Sequence, residues 1–426
     1  MLAKRIYIVG IGGIGLSALA QLLRADGCDV SGSDRGDSPT TELLRQKGIE
    51  VFVGHDAAHI PQGTELLIYS DAIPAHNPER AHARDLGIPE MSYFETLGKI
   101  ANEKKVIAVS GAHGKTTTTA MLIDILEDAG LDPTAVVGSL RAKTKTNFRA
   151  GAGEYFVVEA DEYLRHFLNF DPLILVITNI DADHLDYYRD LADIQSAFRT
   201  LAQKVPANGF IICDPNDEKV KPALEGATAT IVDYTAYLAQ PFELKVLPFN
   251  KVNAAPALGA AVAAGVSEEA GRASLSRFAG TWRRFEYKGT TTSGALLYDD
   301  YGHHPTEIKA TLRSVKEQFP GKKLIVAFHP HLYSRTKKLF GEFAEAFDAA
   351  DRVFIAPIFA AREPEDPTIS SEMLAEALRA RGKDAAALAS LDEVTGKILE
   401  AKAGAVFVTM GAGDIYKAGE AALKRE

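Results

Sequence analysis

Two glycine-rich segments have the residue types that phosphate chemistry requires. In Ser110-Gly111-Ala112-His113-Gly114-Lys115-Thr116, the backbone amides of a tight loop can cradle phosphates. The Lys115 ammonium can neutralise β- and γ-oxygens, and the Thr116 hydroxyl, followed by Thr117, can ligate Mg²⁺. The usual spacing puts a glycine six residues before the lysine, where Val109 stands here, so the loop is shorter. The Gly-Lys-Thr core still points to a nucleoside triphosphate rather than to a lysine merely exposed at a helix start. The second segment is Gly10-Ile11-Gly12-Gly13-Ile14-Gly15. Glycines there allow a tight turn and the approach of a pyrophosphate to a helix N-terminus. Asp34 follows at the end of the next predicted strand, where it can accept bonds from a ribose. This motif does not separate a dinucleotide from a UDP-sugar, and a glycine turn that only packs helix on strand is its bland alternative.

Carboxylates and imidazoles recur just past apolar runs. Glu159 to Glu162, in Val158-Glu159-Ala160-Asp161-Glu162, can hold Mg²⁺ directly or through water. Thr178-Asn179-Ile180-Asp181-Ala182-Asp183-His184-Leu185-Asp186 offers oxygens and one imidazole to a second divalent ion. Each, taken alone, also fits a solvated loop. Further along stand Asp299-Asp300-Tyr301-Gly302-His303-His304-Pro305 and Phe328-His329-Pro330-His331-Leu332-Tyr333-Ser334-Arg335. Of eleven histidines, six (His113, His184, His303, His304, His329 and His331) lie just past a predicted strand. Open α/β sheets bind ligands at the carboxyl ends of their strands, so the clustering fits a ligand-binding edge, although any single one also fits a packed histidine.

Short apolar runs alternating with amphipathic stretches position these motifs, the pattern of parallel sheets covered by helices. Strands are predicted at 6–9, 29–33, 66–70, 106–110, 155–158, 173–178, 295–298, 324–328, 353–357 and 406–410, with helices at 15–25, 41–47 and 116–129. The pattern restarts near 98–105 and again around 280–289. The fold expected is α/β in three domains, each a mostly parallel sheet flanked by helices: Rossmann-like at the N-terminus, P-loop ATPase-like in the centre, Rossmann-like at the C-terminus. The expected boundaries are 1–100, 101–285 and 286–426. The Ala-rich stretch 254–264 is ordinary helix composition.

Composition narrows the class. The chain has 426 residues, 46% of them hydrophobic, and a net charge of −10. That balance argues against a general nucleic-acid or anionic-membrane binder. Two cysteines, Cys28 and Cys213, exclude a disulfide scaffold. The uncharged stretch Ile6 to Leu23 superficially resembles a signal peptide or membrane span, but its four glycines make a poor helix centre. A cytoplasmic protein without membrane insertion is expected.

Together the motifs identify a resemblance. The chain resembles the Mur ligase family along nearly its whole length. GIGGIGLSALA, SDAIPAHNPE from Ser70, SGAHGKTTTT, VEADE, TNIDADHLDYY, WRRFE from Trp282, DDYGHHPTE, FHPHLYSRT, AAREPE from Ala360 and TMGAGDIY from Thr409 occur in the family's order. The resemblance implies ATP-dependent amide formation between the carboxylate of UDP-N-acetylmuramate and L-alanine through an acyl phosphate. ATP is then the co-substrate and Mg²⁺ the cofactor. Catalysis would rest on Lys115, Glu159, His184 and Arg284. The nucleotide would be held by Gly111, Ala112, His113, Gly114, Lys115, Thr116, Thr117, Asn250, Asn253, Arg284 and Asp300, and the metal by Thr116, Glu159 and His184. Gly10, Gly12, Gly13, Ile14, Gly15, Asp34 and Ser70 would hold the UDP-sugar; Tyr301, His303, His331 and Arg335 would form the alanine pocket. Its partners would be these small molecules, with no nucleic acid, and a homodimer is compatible with it.

The sequence departs from the family in places. Leu247-Pro248-Phe249-Asn250 stands where Gly-x-His-Asn is common, Leu332 where arginine is common, and Ser196-Ala197-Phe198-Arg199 has no lysine to carbamylate, as in alanine-adding members. A recycling ligase that attaches a ready-made tripeptide to the same sugar shares most motifs. An NAD(P)-dependent oxidoreductase built on the first glycine loop would leave the Gly-Lys-Thr loop without a role.

Overall fold

The computed structural model describes residues 3–424 except Asp186 and Arg362. Asp186 and Arg362, one residue in each of two expected motifs, therefore lie outside the described residues.

The apolar runs form three sheets. In the first, β1 (Arg5–Val9), β2 (Asp29–Asp34), β3 (Glu50–Val53), β4 (Leu66–Tyr69) and β5 (Glu90–Ser92) are all parallel, in the order β3-β2-β1-β4-β5. The order reverses between β1 and β4, the switch point at which such sheets open a crevice. Ile14–Ala25 (α1) follows β1 directly. The uncharged Ile6 to Leu23 stretch is thus a strand, a turn and a helix, and no helix among the described residues is long and apolar enough to cross a membrane. Pro39–Gln46 (α2) starts earlier than expected because Ser38 caps it and Pro39 opens its first turn. Pro78–Asp85 (α3) and Tyr93–Ala101 (α4) complete this layer.

The second sheet contains β6 (Lys105–Ser110), β7 (Thr134–Val136), β8 (Phe148–Arg149), β9 (Tyr155–Glu159), β10 (Pro172–Ile177), β11 (Phe210–Cys213) and β12 (Thr230–Asp233). Its order is β12-β11-β10-β6-β9-β7-β8, with only β7 and β8 antiparallel. Lys115–Asp128 (α5) follows β6. In the third sheet, β13 (Glu286–Thr290), β14 (Leu296–Asp300), β15 (Lys323–Phe328), β16 (Arg352–Ile355), β17 (Asp384–Ala387) and β18 (Ala405–Met410) run β13-β14-β18-β15-β16-β17. Only the edge pair β13–β14 is antiparallel.

Burial explains why the central strands read as unbroken apolar runs. Along β15, Leu324, Val326 and Phe328 enter one core and Ile325 and Ala327 another, so both faces are covered. Each of the larger side chains, Ala327 excepted, contributes on the order of 1.5–3 kcal/mol. Edge strands β3, β5, β12 and β17 lack that signature because part of each faces solvent.

One continuous buried cluster runs through the first two sheets, from Ile8 and Leu19 to Val158, Phe167 and Leu201. Residues 3–243 and Lys251–Phe278 accordingly form one compact unit, and Leu244–Asn250 with 279–424 another. Leu247 anchors its short segment among Ile308 and Leu312 of the second unit. Cys28 and Cys213 are free and buried.

Candidate active site

The first glycine loop leaves β1 at the switch point. Gly10 is left-handed, and the amides of Gly10 and Ile11 both donate to the Ser33 carbonyl, at 2.8 and 3.0 Å. The glycines do different jobs. A Cβ on Gly12 would stand 2.6 Å from Thr41 Cγ2, and one on Gly15 2.7 Å from Tyr93 Cζ, so both are demanded by packing. Gly13 is exposed, and a Cβ there would meet only the Gly10 carbonyl, at 3.4 Å. Asp34, expected at a ribose, holds the loop itself: its Oδ2 accepts the Gly12 amide at 2.8 Å. Ser70, past β4, lies beside Gly10, and Ile14 opens α1. All seven residues expected at the UDP-sugar thus gather at one end of the first sheet.

The second loop joins β6 to α5. Gly111 has φ +135° and would collide with Thr178 Oγ1 if it carried a Cβ; Gly114 has φ +83° and caps α5. Neighbouring residues past β10 brace this loop. Asn179 Oδ1 accepts the His113 amide at 2.9 Å, while Asn179 Nδ2 and Thr178 Oγ1 donate to the His113 carbonyl at 2.9 and 2.7 Å. His113 Nε2 lies 3.7 Å from Asp181, whose carboxyl is held well below its usual range by His113 and by Lys219. Thr117 is buried in the first turn of α5. Asn253 lies against Gly114, whereas Asn250 belongs to the Leu244–Asn250 segment of the other unit.

Lys115 is the electrostatic centre of this cluster. Its Nζ donates to Glu162 Oε2 at 2.8 Å and Oε1 at 3.0 Å, and to the Gly111 carbonyl at 2.6 Å. Burial pulls the ammonium pKa down, but the carboxylates of Glu162, Asp161 and Glu159 outweigh it and raise it. Burial pushes the Glu162 carboxyl up, against the pull of Lys115. Thr116 Oγ1 donates to Glu159 Oε1 at 2.8 Å, and the other Glu159 oxygen accepts the Gly138 amide at 2.8 Å. The structure therefore joins Thr116 to Glu159, while His184 gathers with Asp161 and Glu162, their ligand atoms all within 4.8 Å of one another. Two carboxylates and an imidazole at this spacing fit a divalent cation. The sequence flagged Asp161 and Glu162 within their motif but gave them no place in the metal set. The β9 alternation ends at Glu159, so nothing local says which way the next two carboxylates turn.

In the second unit, Arg283 and Arg284 diverge. Arg283 is buried, pairs with Asp299 at 2.7 Å and donates to the Gly413 carbonyl at 2.9 Å. Arg284 lies over the Tyr301 ring, 5.2 Å from its centroid. Asp299 and Asp300 are the last residues of β14 itself, not of the following loop. Burial pushes the Asp300 carboxyl up to about 6, although Arg284 and the amides of Gly302 and Phe285 draw it down. The four residues expected around alanine do meet. His303 Nδ1 lies 3.2 Å from the Tyr301 carbonyl, the His303 and His331 rings are 6.0 Å apart, and Arg335 Nη1 is 3.2 Å from His331 Nδ1. His304 instead caps the helix Pro305–Gln318.

Three doubly-wound or mixed sheets, a Gly-Lys-Thr loop between strand and helix, and an adjoining cluster of two carboxylates and an imidazole are the parts expected of a nucleotide-dependent, group-transferring class of enzyme. Family models agree over most of the chain: residues 5–105 match the Mur ligase family catalytic domain, 109–245 the Mur ligase middle domain and 283–413 the Mur ligase glutamate ligase domain. The chain belongs to the Mur ligase family and is a ligase, so the oxidoreductase reading falls. A UDP-N-acetylmuramate–L-alanine ligase of Caldicellulosiruptor saccharolyticus is 39% identical, covering 99% of both chains. One of Clostridium novyi is 38% identical, covering 99% of this chain and 97% of its own. Among solved structures, the UDP-N-acetylmuramate-alanine ligase MurC of Thermotoga maritima superposes with a TM-score of 0.85 at 28% identity, covering 99% of both chains. A murein peptide ligase of Psychrobacter arcticus gives 0.73 at 26%, covering 99% of this chain and 98% of that one.

Proposed function

We propose that this ligase joins L-alanine to the lactyl carboxylate of UDP-N-acetylmuramate, with conversion of ATP to ADP and phosphate. The observation that carries it is the convergence of Lys115, the Thr116–Glu159 pair and the Asp161–Glu162–His184 cluster around one phosphate loop. The full-length likeness to alanine-adding relatives supports the choice of substrates.

In this reading residues 1–100 hold the UDP-sugar on the first glycine loop, 101–285 hold ATP, and 286–426 hold the amino acid. A carboxylate oxygen of the sugar attacks the γ-phosphorus, and the bond to ADP breaks. The amine nitrogen of alanine, having lost its extra proton, then attacks the acyl carbon, and phosphate leaves with the carbon–oxygen bonding pair. Attack of one anion on another needs cationic screening, which Lys115 supplies at the phosphates with Arg284 as a second cation. Asp161, Glu162 and His184, with Thr116 and Glu159, would hold Mg²⁺, which supplies charge neutralisation between phosphate oxygens. Tyr301, His303, His331 and Arg335 orient the amino acid, and Asp300, Asn250 and Asn253 the nucleotide. Holding both reactants in register supplies much of the acceleration, and exclusion of water protects the acyl phosphate. The cytoplasm, where ATP and UDP-sugars are available, is the compartment this reaction needs, and a homodimer is compatible with the reading.

The likeness to a murein peptide ligase favours one second reading, attachment of a peptide to the same sugar. Coupled ADP release with UDP-N-acetylmuramate separates them across L-alanine, glycine, L-serine and a tripeptide. Alanine-dependent turnover is expected. Turnover with tripeptide alone would transfer the assignment, and none with any amine would reject both.

A further inference from the structure

Asn147 is fully buried, yet its side chain is wholly polar. Its Nδ2 donates to the Ile14 carbonyl and, at 3.3 Å, to Ser17 Oγ; its Oδ1 accepts from Gln21 Nε2 at 3.5 Å. All three partners belong to α1, the helix that begins at the first glycine loop. The Asn147 carbonyl in turn accepts the Val137 amide at 3.0 Å. The next residue, Gly138, donates its amide to Glu159 Oε2, and Glu159 Oε1 accepts from Thr116. Hydrogen bonds thus connect α1, through Asn147 and the β7–β8 hairpin, to the Glu159–Thr116 pair. An apolar residue would fill the same space without an amide to satisfy. A fully bonded buried amide instead fixes one register between the surfaces it joins.

We infer that Asn147 is a positioning residue that sets the glycine-loop helix at a fixed distance from Glu159 and Thr116, so that the carboxylate of a bound UDP-sugar meets the γ-phosphate. The inference rests on the reading that the first glycine loop holds the UDP-sugar. Misplacement by about 1 Å costs on the order of 10²-fold in such reactions, so loss of the amide should act on the encounter rather than on either binding site alone.

The test compares full-length wild type, Asn147→Ala and Ser17→Ala, with Gly13→Val as a control on the underlying reading. Each is assayed for kcat and KM for UDP-N-acetylmuramate and ATP, for ADP affinity, for melting temperature and for phosphate released per amide formed. Asn147→Ala is expected to lower kcat/KM for the UDP-sugar at least ~10-fold and to release phosphate in excess of amide, with ADP affinity within about twofold of wild type. Ser17→Ala should shift the same parameters in the same direction by a smaller factor, and it decides the matter if Asn147→Ala does not fold. Wild-type kcat/KM with a lowered melting temperature, or an equal loss toward both nucleotide and sugar, would overturn the inference. An unchanged KM for the UDP-sugar in Gly13→Val would instead overturn the loop assignment. A raised KM there beside unaltered Asn147 and Ser17 variants would sink the role of Asn147 alone.

Discussion

Lys115 and Glu162 form a buried ion pair, with Nζ between the two carboxylate oxygens at 2.8 and 3.0 Å. They are 47 residues apart and meet because β6 and β9 are neighbours in the second sheet. The ammonium that the phosphate loop presents is therefore coupled to the carboxylate that shares the His184 cluster.

That coupling sets the first prediction. Lys115→Ala should lower kcat by at least ~10²-fold, the scale for losing a transition-state charge partner. It also leaves Glu162 buried without its cation, at a cost of about 3–5 kcal/mol. Adding Glu162→Gln should return most of the stability and none of the turnover. Near-normal kcat in the single variant, measured by ADP release, would contradict the role of Lys115.

His184→Ala should raise the Mg²⁺ concentration for half-maximal turnover by about ten-fold or more, since ligand losses at such sites carry that scale. Glu162→Gln should move the same titration in the same direction. Superimposable Mg²⁺ titrations for wild type and both variants would count against the cluster as the metal site.

The glycine loop predicts a contrast between adjacent positions. Gly12→Val and Gly15→Val should lower the melting temperature, because their Cβ atoms would run into Thr41 and Tyr93. Gly13→Val should melt like wild type and raise KM for UDP-N-acetylmuramate. A Gly13 variant that melts as low as Gly12→Val would show that the loop is spatially closed there.

His329 gives a pH dependence. Burial pushes its imidazole down to about 4, Arg283 acts in the same direction and Asp414 opposes. The folded pKa lies below the usual 6.5, so the unfolded chain binds more protons between pH 6.5 and 4, and stability falls as pH drops through that window. At pH 5 the loss is about 2 kcal/mol relative to pH 7.5. Unfolding followed by fluorescence of Trp282, the single tryptophan, reports this unit. His329→Gln should flatten the profile; an equally steep loss in that variant would remove His329 as its source.

Most central strands and the two loops were legible because their signals are local. A strand buried on both faces needs a run such as Leu324 to Phe328, and a tight turn from strand to helix needs Gly111 and Gly114 at positive φ. Edge strands such as β3 and β17 were not, since solvent on one side relaxes the demand for apolar residues. Of the site, the grouping of Tyr301, His303, His331 and Arg335 was implied by the family resemblance of their motifs; in the fold those motifs follow β14 and β15, the two strands that flank β18. The division between Arg283 and Arg284 did not, because one residue's difference in direction decides which is buried against Asp299.

By itself the amino-acid order determined where most central strands, the glycine turns and the helices that follow them would stand, since backbone φ and apolar periodicity are settled within a few residues. Only the folded chain decided that Lys115 meets Glu162, that His184 turns to Asp161 and Glu162 while Thr116 takes Glu159, and that Asn147 grips α1. Those encounters depend on strand order and on cores assembled from distant segments, and no short window of residues contains that information.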